Sequence, residues 1–505
     1  MKPIKRDTQS SLIHLAVMMA LSLGSGLGCS TKLTSFVCQQ NEDCVANERA
    51  GRCEDTMFCS FSDTSCPSNF RYGSASGAMS DMCTGEALIG DAASPDIVDG
   101  GRANALDAGA HDNQGRPSIA MALGRSHTCV LLEEHLTAPS DRKSVSTCWG
   151  DNTVGQLGTN VSTGSDGSPQ SSFFNGGSGI ATGITAGHHT TCRYNELVFE
   201  CFGDDGNARL GPGTSYDYNV DTIDIGPGDE SAVCIDGTRN SGMIPNAAPI
   251  YCWGSNTFGQ IQPAMGSTTT LNQAPFQSFL TDETVVIDEL GVGKEHVCVL
   301  TSQPGLSSEI TCWGNSEKFQ VGKRRQGPVK IGDPSAHIFG PTLIDELMNP
   351  VRLAVGYNHS CAIDRDGTVF CWGGNGAKQT APNTAEPAIE HATRITGLNK
   401  RATALSLGKD HSCAIANDTQ VYCWGSNALG QLGQGDNTAT IGDPVVGMEG
   451  TRLMGVDRIE SGQDHTCAHV PAKGVYCWGL NDEHQIDTTS TTRYFSAVLS
   501  YAESE

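Results

Sequence analysis

One tripeptide recurs through most of this chain and limits what the chain can fold into. Cys-Trp-Gly stands at 148–150, 252–254, 312–314, 371–373, 423–425 and 477–479, and Cys201-Phe202-Gly203 is a seventh copy. All six tryptophans (Trp149, Trp253, Trp313, Trp372, Trp424, Trp478) lie in it. Consecutive copies are 51 to 60 residues apart. A period of that size means a propeller or a solenoid.

Each copy has the same internal order. An apolar strand leads in, as in 402–407, and Gly-x-x-His-Ser/Thr-Cys follows, as in 408–413. A turn, a second strand ending in Cys-Trp-Gly, and Asn-x-x-Gly-Gln-Leu-Gly complete it; 124–158 and 408–433 are the fullest copies. Alternation puts His411, Cys413 and Ile415 on one strand face and Val421 with Cys423 on a face of the next. Asp366-Gly367 and Asp236-Gly237 are expected to reverse hairpins. The 60 glycines argue against long helices and for a turn-rich β protein. A net charge of −24 argues against nucleic-acid binding, which needs cations for phosphate.

These motifs resemble the regulator of chromosome condensation repeat over about 117–490. The resemblance implies an all-β chain with a seven-bladed β-propeller of four-stranded blades. Copies two and three depart most from the pattern, with Phe202 for tryptophan, Thr190 and Ala232 for histidine, and Arg209 for glutamine. The fourth has Ser316 for asparagine, and insertions fall at 131–146, 238–250 and 302–309.

Each copy also carries two cysteines, at 129/148, 192/201, 234/252, 298/312, 361/371, 413/423 and 467/477. A tight hairpin near Asp418 sets Cys413 opposite Cys423, and facing residues in a non-hydrogen-bonded pair are about 4.5 Å apart at Cα, within disulfide reach. The expected bridges are Cys129–Cys148, Cys192–Cys201, Cys234–Cys252, Cys298–Cys312, Cys361–Cys371, Cys413–Cys423 and Cys467–Cys477. The competing reading is buried free thiols.

The N-terminus argues for export. Lys2, Lys5 and Arg6 precede an apolar run to Leu23, then small residues and Cys29, the pattern of a signal peptide over 1–28. Gly26-Leu-Gly-Cys29 is similar to a bacterial lipobox, which implies acylation of Cys29 and an outer-membrane destination. Ordinary cleavage nearby, with release, is the alternative. Residues 29–86 hold Cys38, Cys44, Cys53, Cys59, Cys66 and Cys83, read as a small disulfide-stapled module of undetermined pairing. Residues 87–116, rich in Ala, Asp and Gly, read as a flexible acidic linker, and 117–505 as the propeller. The 21 cysteines thus divide as one, six and fourteen.

No catalytic motif, metal site or cofactor is expected. His127, His296, His359, His411 and His465 occupy equivalent positions, but propeller symmetry spreads them around an axis. Each is expected to bond neighbouring backbone instead. The tryptophans read as inter-blade core, and Asn152, Asn427, Gln156 and Gln431 as turn and inter-blade hydrogen bonders. The expected function is a monomeric, surface-tethered or secreted scaffold. It would recognise an extracellular or periplasmic protein through the variable loops 159–180, 212–230, 262–284 and 323–348. The alternatives are carbohydrate or envelope-polymer binding, for which Phe173, Phe174, Tyr216 and Tyr218 are the candidate aromatics, and guanine-nucleotide exchange, which an exported, disulfide-bonded, acidic chain opposes.

Overall fold

The computed structural model describes 120–502 except 136–141, 159–167, 175–179, 196, 207–208, 211–217, 229–230, 240–249, 262–270, 278–284, 304, 323–337, 439–440 and 491; before 120 it describes short strands between 45 and 72. The chain divides into two compact units, Met1–Pro95 and Asp96–Glu505. In the first, Val45–Ala46 pairs with Arg49–Ala50, and Arg52–Cys53, Cys59–Ser62 and Phe70–Tyr72 form a small sheet that sets Cys53 opposite Cys59. The signal segment, Cys29, Cys38, Cys44, Cys66, Cys83 and the acidic linker lie outside the described residues, as does Tyr216.

The second unit is seven antiparallel sheets in chain order. We call them blades 1 to 7, spanning 120–173, 183–203, 218–277, 286–343, 350–394, 402–425 and 458–502. Blade 5 shows the plan: Pro350–Val355, His359–Asp364, Val369–Gly374 and Ala388–Arg394 pair in that order from the axis outward. Among the described residues blades 2 and 6 have three strands each, and in blade 6 the bridge Tyr422–Pro444 stands in the outer position. The innermost strands touch in sequence from blade 1 to blade 7, and Arg458–Ser461 of blade 7 returns to Ala120–Leu123 of blade 1. The ring therefore closes. Among the described residues every blade is one contiguous stretch of chain, and no sheet mixes the two ends.

Local chemistry explains why the tripeptide repeats. The glycine of each copy lies at positive φ, from 97° at Gly254 to 117° at Gly203, a conformation that side chains disfavour. A Cβ on Gly425 would also come within 2.6 Å of the Asp410 carbonyl. The cysteines face each other in register, as Cys413 does Cys423, with all seven pairs 4.1 Å apart at Cα and sulfurs at bonding distance. They are buried in the blade cores, except Cys201, which is half-buried.

One turn differs from the sequence expectation. Asp366-Gly367 does reverse blade 5, with Gly367 at φ 81°. Asp236-Gly237 does not reverse blade 3, because Ala232–Arg239 runs straight through it, held by pairing to Tyr218–Ile225 on the axial side.

Candidate recognition face

Each interface between blades is built around one backbone carbonyl. In blade 6 the Trp424 indole Nε1 donates to the Gln379 carbonyl of blade 5 (2.8 Å), and the Ser412 hydroxyl donates to the same oxygen (2.9 Å). The Trp149 indole and Thr128 hydroxyl of blade 1 use the Gln485 carbonyl of blade 7 in the same way, at 3.0 and 2.8 Å. The glutamine side chain turns back: Gln431 Oε1 accepts from the Leu429 amide, and Asn427 Oδ1 from the Leu432 amide. These side chains hold the tight turn while the carbonyl serves the next blade.

The histidines complete this joint, and not as expected. Their rings bond a side-chain hydroxyl of the following blade, not backbone. His127 meets Thr191 (2.8 Å), His296 meets Ser360 (3.0 Å), His359 meets Ser412 (2.9 Å), His411 meets Thr466 (2.7 Å) and His465 meets Thr128 (3.0 Å). In the Ser412 joint the hydroxyl proton already goes to Gln379, so His359 Nε2 must carry a hydrogen and donate. Thr191 and Thr128 likewise donate to the Gln156 and Gln485 carbonyls, so in these three joints Nδ1 is bare, and no Nδ1 of the five rings has a hydrogen-bond partner. Burial holds all five rings at about 3, far below the ordinary 6.5, so they are neutral. Among the described residues no three metal-ligating side chains come together.

The irregular copies fit the same rule. Thr190 and Ala232 stand where the ring would be. In the blades that follow them, Val233 and Val297 stand where the hydroxyl would be. Both partners are lost together, so no donor is stranded. Phe202 has no indole nitrogen to offer, and Arg193 ties blade 2 to blade 1 instead. Its guanidinium donates to Ser146 Oγ (2.7 Å), the Phe173 carbonyl (2.7 Å) and Glu200 (3.1 Å), and lies over the Phe174 and Phe202 rings. Arg209, in the glutamine position, is buried against Asp204 and still lends its carbonyl to Trp253 (2.9 Å). Of the candidate aromatics, Phe173 is 47% exposed, but Phe174 is in the core.

At one end of the ring the blades pinch to a neck of glycines: 124, 187, 226, 293, 356, 408 and 462. A Cβ on any of them would come within 3 Å of the next glycine's carbonyl around the ring, closing from Gly462 to Gly124. The positions that follow them carry six residue types in seven blades: Arg125, His188, Pro227, Lys294, Tyr357, Lys409 and Gln463. Behind the neck the axial cavity is lined by Asp224, Glu289 and Glu460 among mostly apolar residues. Burial pushes Asp224 up to about 6 and, with the Asp224 charge, Glu460 to about 8. The inner strands read in sequence as plain apolar lead-ins, so these acids had no sequence signal.

Models of the regulator of chromosome condensation (RCC1) repeat match 351–379, 402–431 and 418–469. The chain carries RCC1 repeats. Prp20p of Saccharomyces cerevisiae, in a structure described with its binding properties to Gsp1p and histones, superposes with a TM-score of 0.53. That match is 17% identical and covers 71% of this chain and 85% of Prp20p. Yeast RCC1 (Prp20) bound to Kap60 gives the same score at 16% identity, covering 71% of this chain and 83% of that one. Among curated relatives, the human probable E3 ubiquitin-protein ligase HERC6 is 26% identical over 269 residues, 52% of this chain but 25% of the ligase. The bovine secretion-regulating guanine nucleotide exchange factor is 25% identical over 305 residues, covering 50% of this chain and 64% of its own length. The chain thus spans a quarter of the ligase it resembles, within the repeat region.

Proposed function

We propose that this chain is an exported binding scaffold that recognises another protein through the glycine-neck face. The observation that carries the reading is the contrast between frame and rim. Gly, His, hydroxyl, Trp and Gln recur to build one joint, while the position after each neck glycine varies between cation, imidazole, proline, phenol and amide. A rigid frame that presents six kinds of side chain at seven ring positions suits selective recognition better than a shared reaction. The yeast RCC1 structure bound to Kap60 supports protein binding by such a propeller. Much of the variable loops 159–180, 212–230, 262–284 and 323–348 lies outside the described residues.

Export is supported by the basic-then-apolar N-terminus and by fourteen cysteines placed as facing pairs. Acylation at Cys29 would tether the chain to the outer membrane; equal acyl labelling of wild type and Cys29→Ser would refute the anchor. Cross-linking of the full chain at its native location, read by mass spectrometry, tests recognition. The expected cross-links are to one dominant protein, lost on combined Lys294→Ala and Tyr357→Ala substitution with the fold intact. Persistence of the same cross-links in that variant refutes the proposed face.

Carbohydrate binding is weakened by the burial of Phe174, and a glycan array separates it. Nucleotide exchange on a small GTPase, suggested by the bovine relative's name, is opposed by the facing cysteines, which suit an oxidising compartment.

A further inference from the structure

The neck face has a cavity of about 280 Å³ where blades 6, 7, 1 and 2 meet. Its lining mixes both signs of charge: Arg125 and Lys409, which follow neck glycines, share it with Asp151, Asp464, Asp482 and Glu483. Three of these groups are already engaged. Asp151 is held by His189 (3.4 Å) and by the Thr153 amide (2.9 Å), and one Asp482 oxygen accepts from Gln485 (3.0 Å). Arg125 spends one nitrogen on His188 (3.1 Å). Among the described residues no ion pair joins Lys409 to Asp464, although both line the same space and feel each other's charge. Burial pushes the Asp464 carboxyl up, and Asp410 and Asp482 add to it, while the charges of Lys409 and Arg125 draw it down without cancelling the rise. Opposite charges that share a cavity without neutralising each other leave room for a ligand that carries both.

We propose that this cavity binds a small zwitterion of amino-acid or dipeptide size, its carboxylate against Arg125 and Lys409 and its ammonium against Asp464 and Asp482. The guanidinium offers further N–H donors to the carboxylate, and the two aspartates supply the acceptors an ammonium needs. The volume admits a few heavy atoms beyond the charged ends, which sets the size class. The site shares Arg125 and Lys409 with the proposed recognition face, but its test uses no protein partner, so either reading can fail without the other.

Isothermal titration calorimetry on the full chain tests it, with glycylglycine as the probe and two single-charge controls, N-acetylglycylglycine and glycylglycinamide. Saturable binding of glycylglycine is expected, with each control weaker by about tenfold or more, because each lacks one charge-assisted contact. Asp464→Asn is expected to weaken the dipeptide but not the acetylated control, and Lys409→Met to weaken the dipeptide but not the amide. An unchanged thermal midpoint in both variants shows that the fold is kept. No saturable heat with glycylglycine up to about 50 mM overturns the proposal. So does either control binding as tightly as the dipeptide, or indifference of the affinity to both substitutions.

Discussion

The five inter-blade histidines make a strong prediction about acid. Their folded rings titrate at about 3, whereas an unfolded histidine titrates near 6.5. Between those values the unfolded chain binds more protons, so stability present above pH 6.5 is lost as pH falls toward 3. From pH 7 to pH 5.5 each ring costs about 1.2 kcal/mol, roughly 6 kcal/mol for five. Two axial carboxyls work the other way. Glu460 and Asp224 are raised to about 8 and about 6, so their penalty eases as pH falls through the same window. They return roughly 2 and 1 kcal/mol, leaving a net loss of about 3–4 kcal/mol, a large share of a typical domain's stability. Urea unfolding of the oxidised protein at both pH values measures it. His411→Gln sharpens the test: the variant is less stable at pH 7, but its loss on acidification shrinks by about 1.2 kcal/mol. A stability that is flat or rises from pH 7 to pH 5.5, or an unchanged pH slope in His411→Gln, would refute the neutral, bare-Nδ1 joint.

Further outcomes follow from the frame. Gly425→Ala places a Cβ at positive φ against the Asp410 carbonyl and is expected to cost about 2–4 kcal/mol in urea unfolding, where a cost under about 0.5 would contradict the steric account. Arg193→Met removes the buried ion pair with Glu200 and the tie to blade 1; a loss of about 3–5 kcal/mol is expected, with earlier proteolysis of blade 2. Peptide mapping without reductant is expected to find every propeller cysteine bridged within its own blade, and any bridge between blades would overturn the pairing.

What could be read from the sequence was local in the chain. Cys413 and Cys423 lie across one tight hairpin, so counting residues sets them face to face. The partner of His359 lies one repeat away on Ser412, and reading each copy alone hides it. The signal was present: wherever one copy lacks histidine, the next has valine in place of serine or threonine, as Thr190 with Val233 and Ala232 with Val297 show. Phe174 was placed with the exposed aromatics beside Phe173, yet one step along the chain turns a side chain to the opposite side. The axial Asp224 and Glu460 follow only from ring closure, which brings blades 3 and 7 to one cavity.

The undivided blades have a consequence for how this ring can be cut. Blade 1 begins at Ala120 and blade 7 ends at Ala502, each at the hairpin-turn end, and the two blades are neighbours. The joint between them uses the same carbonyl, indole, hydroxyl and imidazole as the others, through Gln485, Trp149, Thr128 and His465. No strand has to be threaded into a foreign sheet to complete the circle. A circularly permuted chain, joined by a short linker from 502 to 120 and opened at 396–401 between blades 5 and 6, should therefore rebuild the same ring.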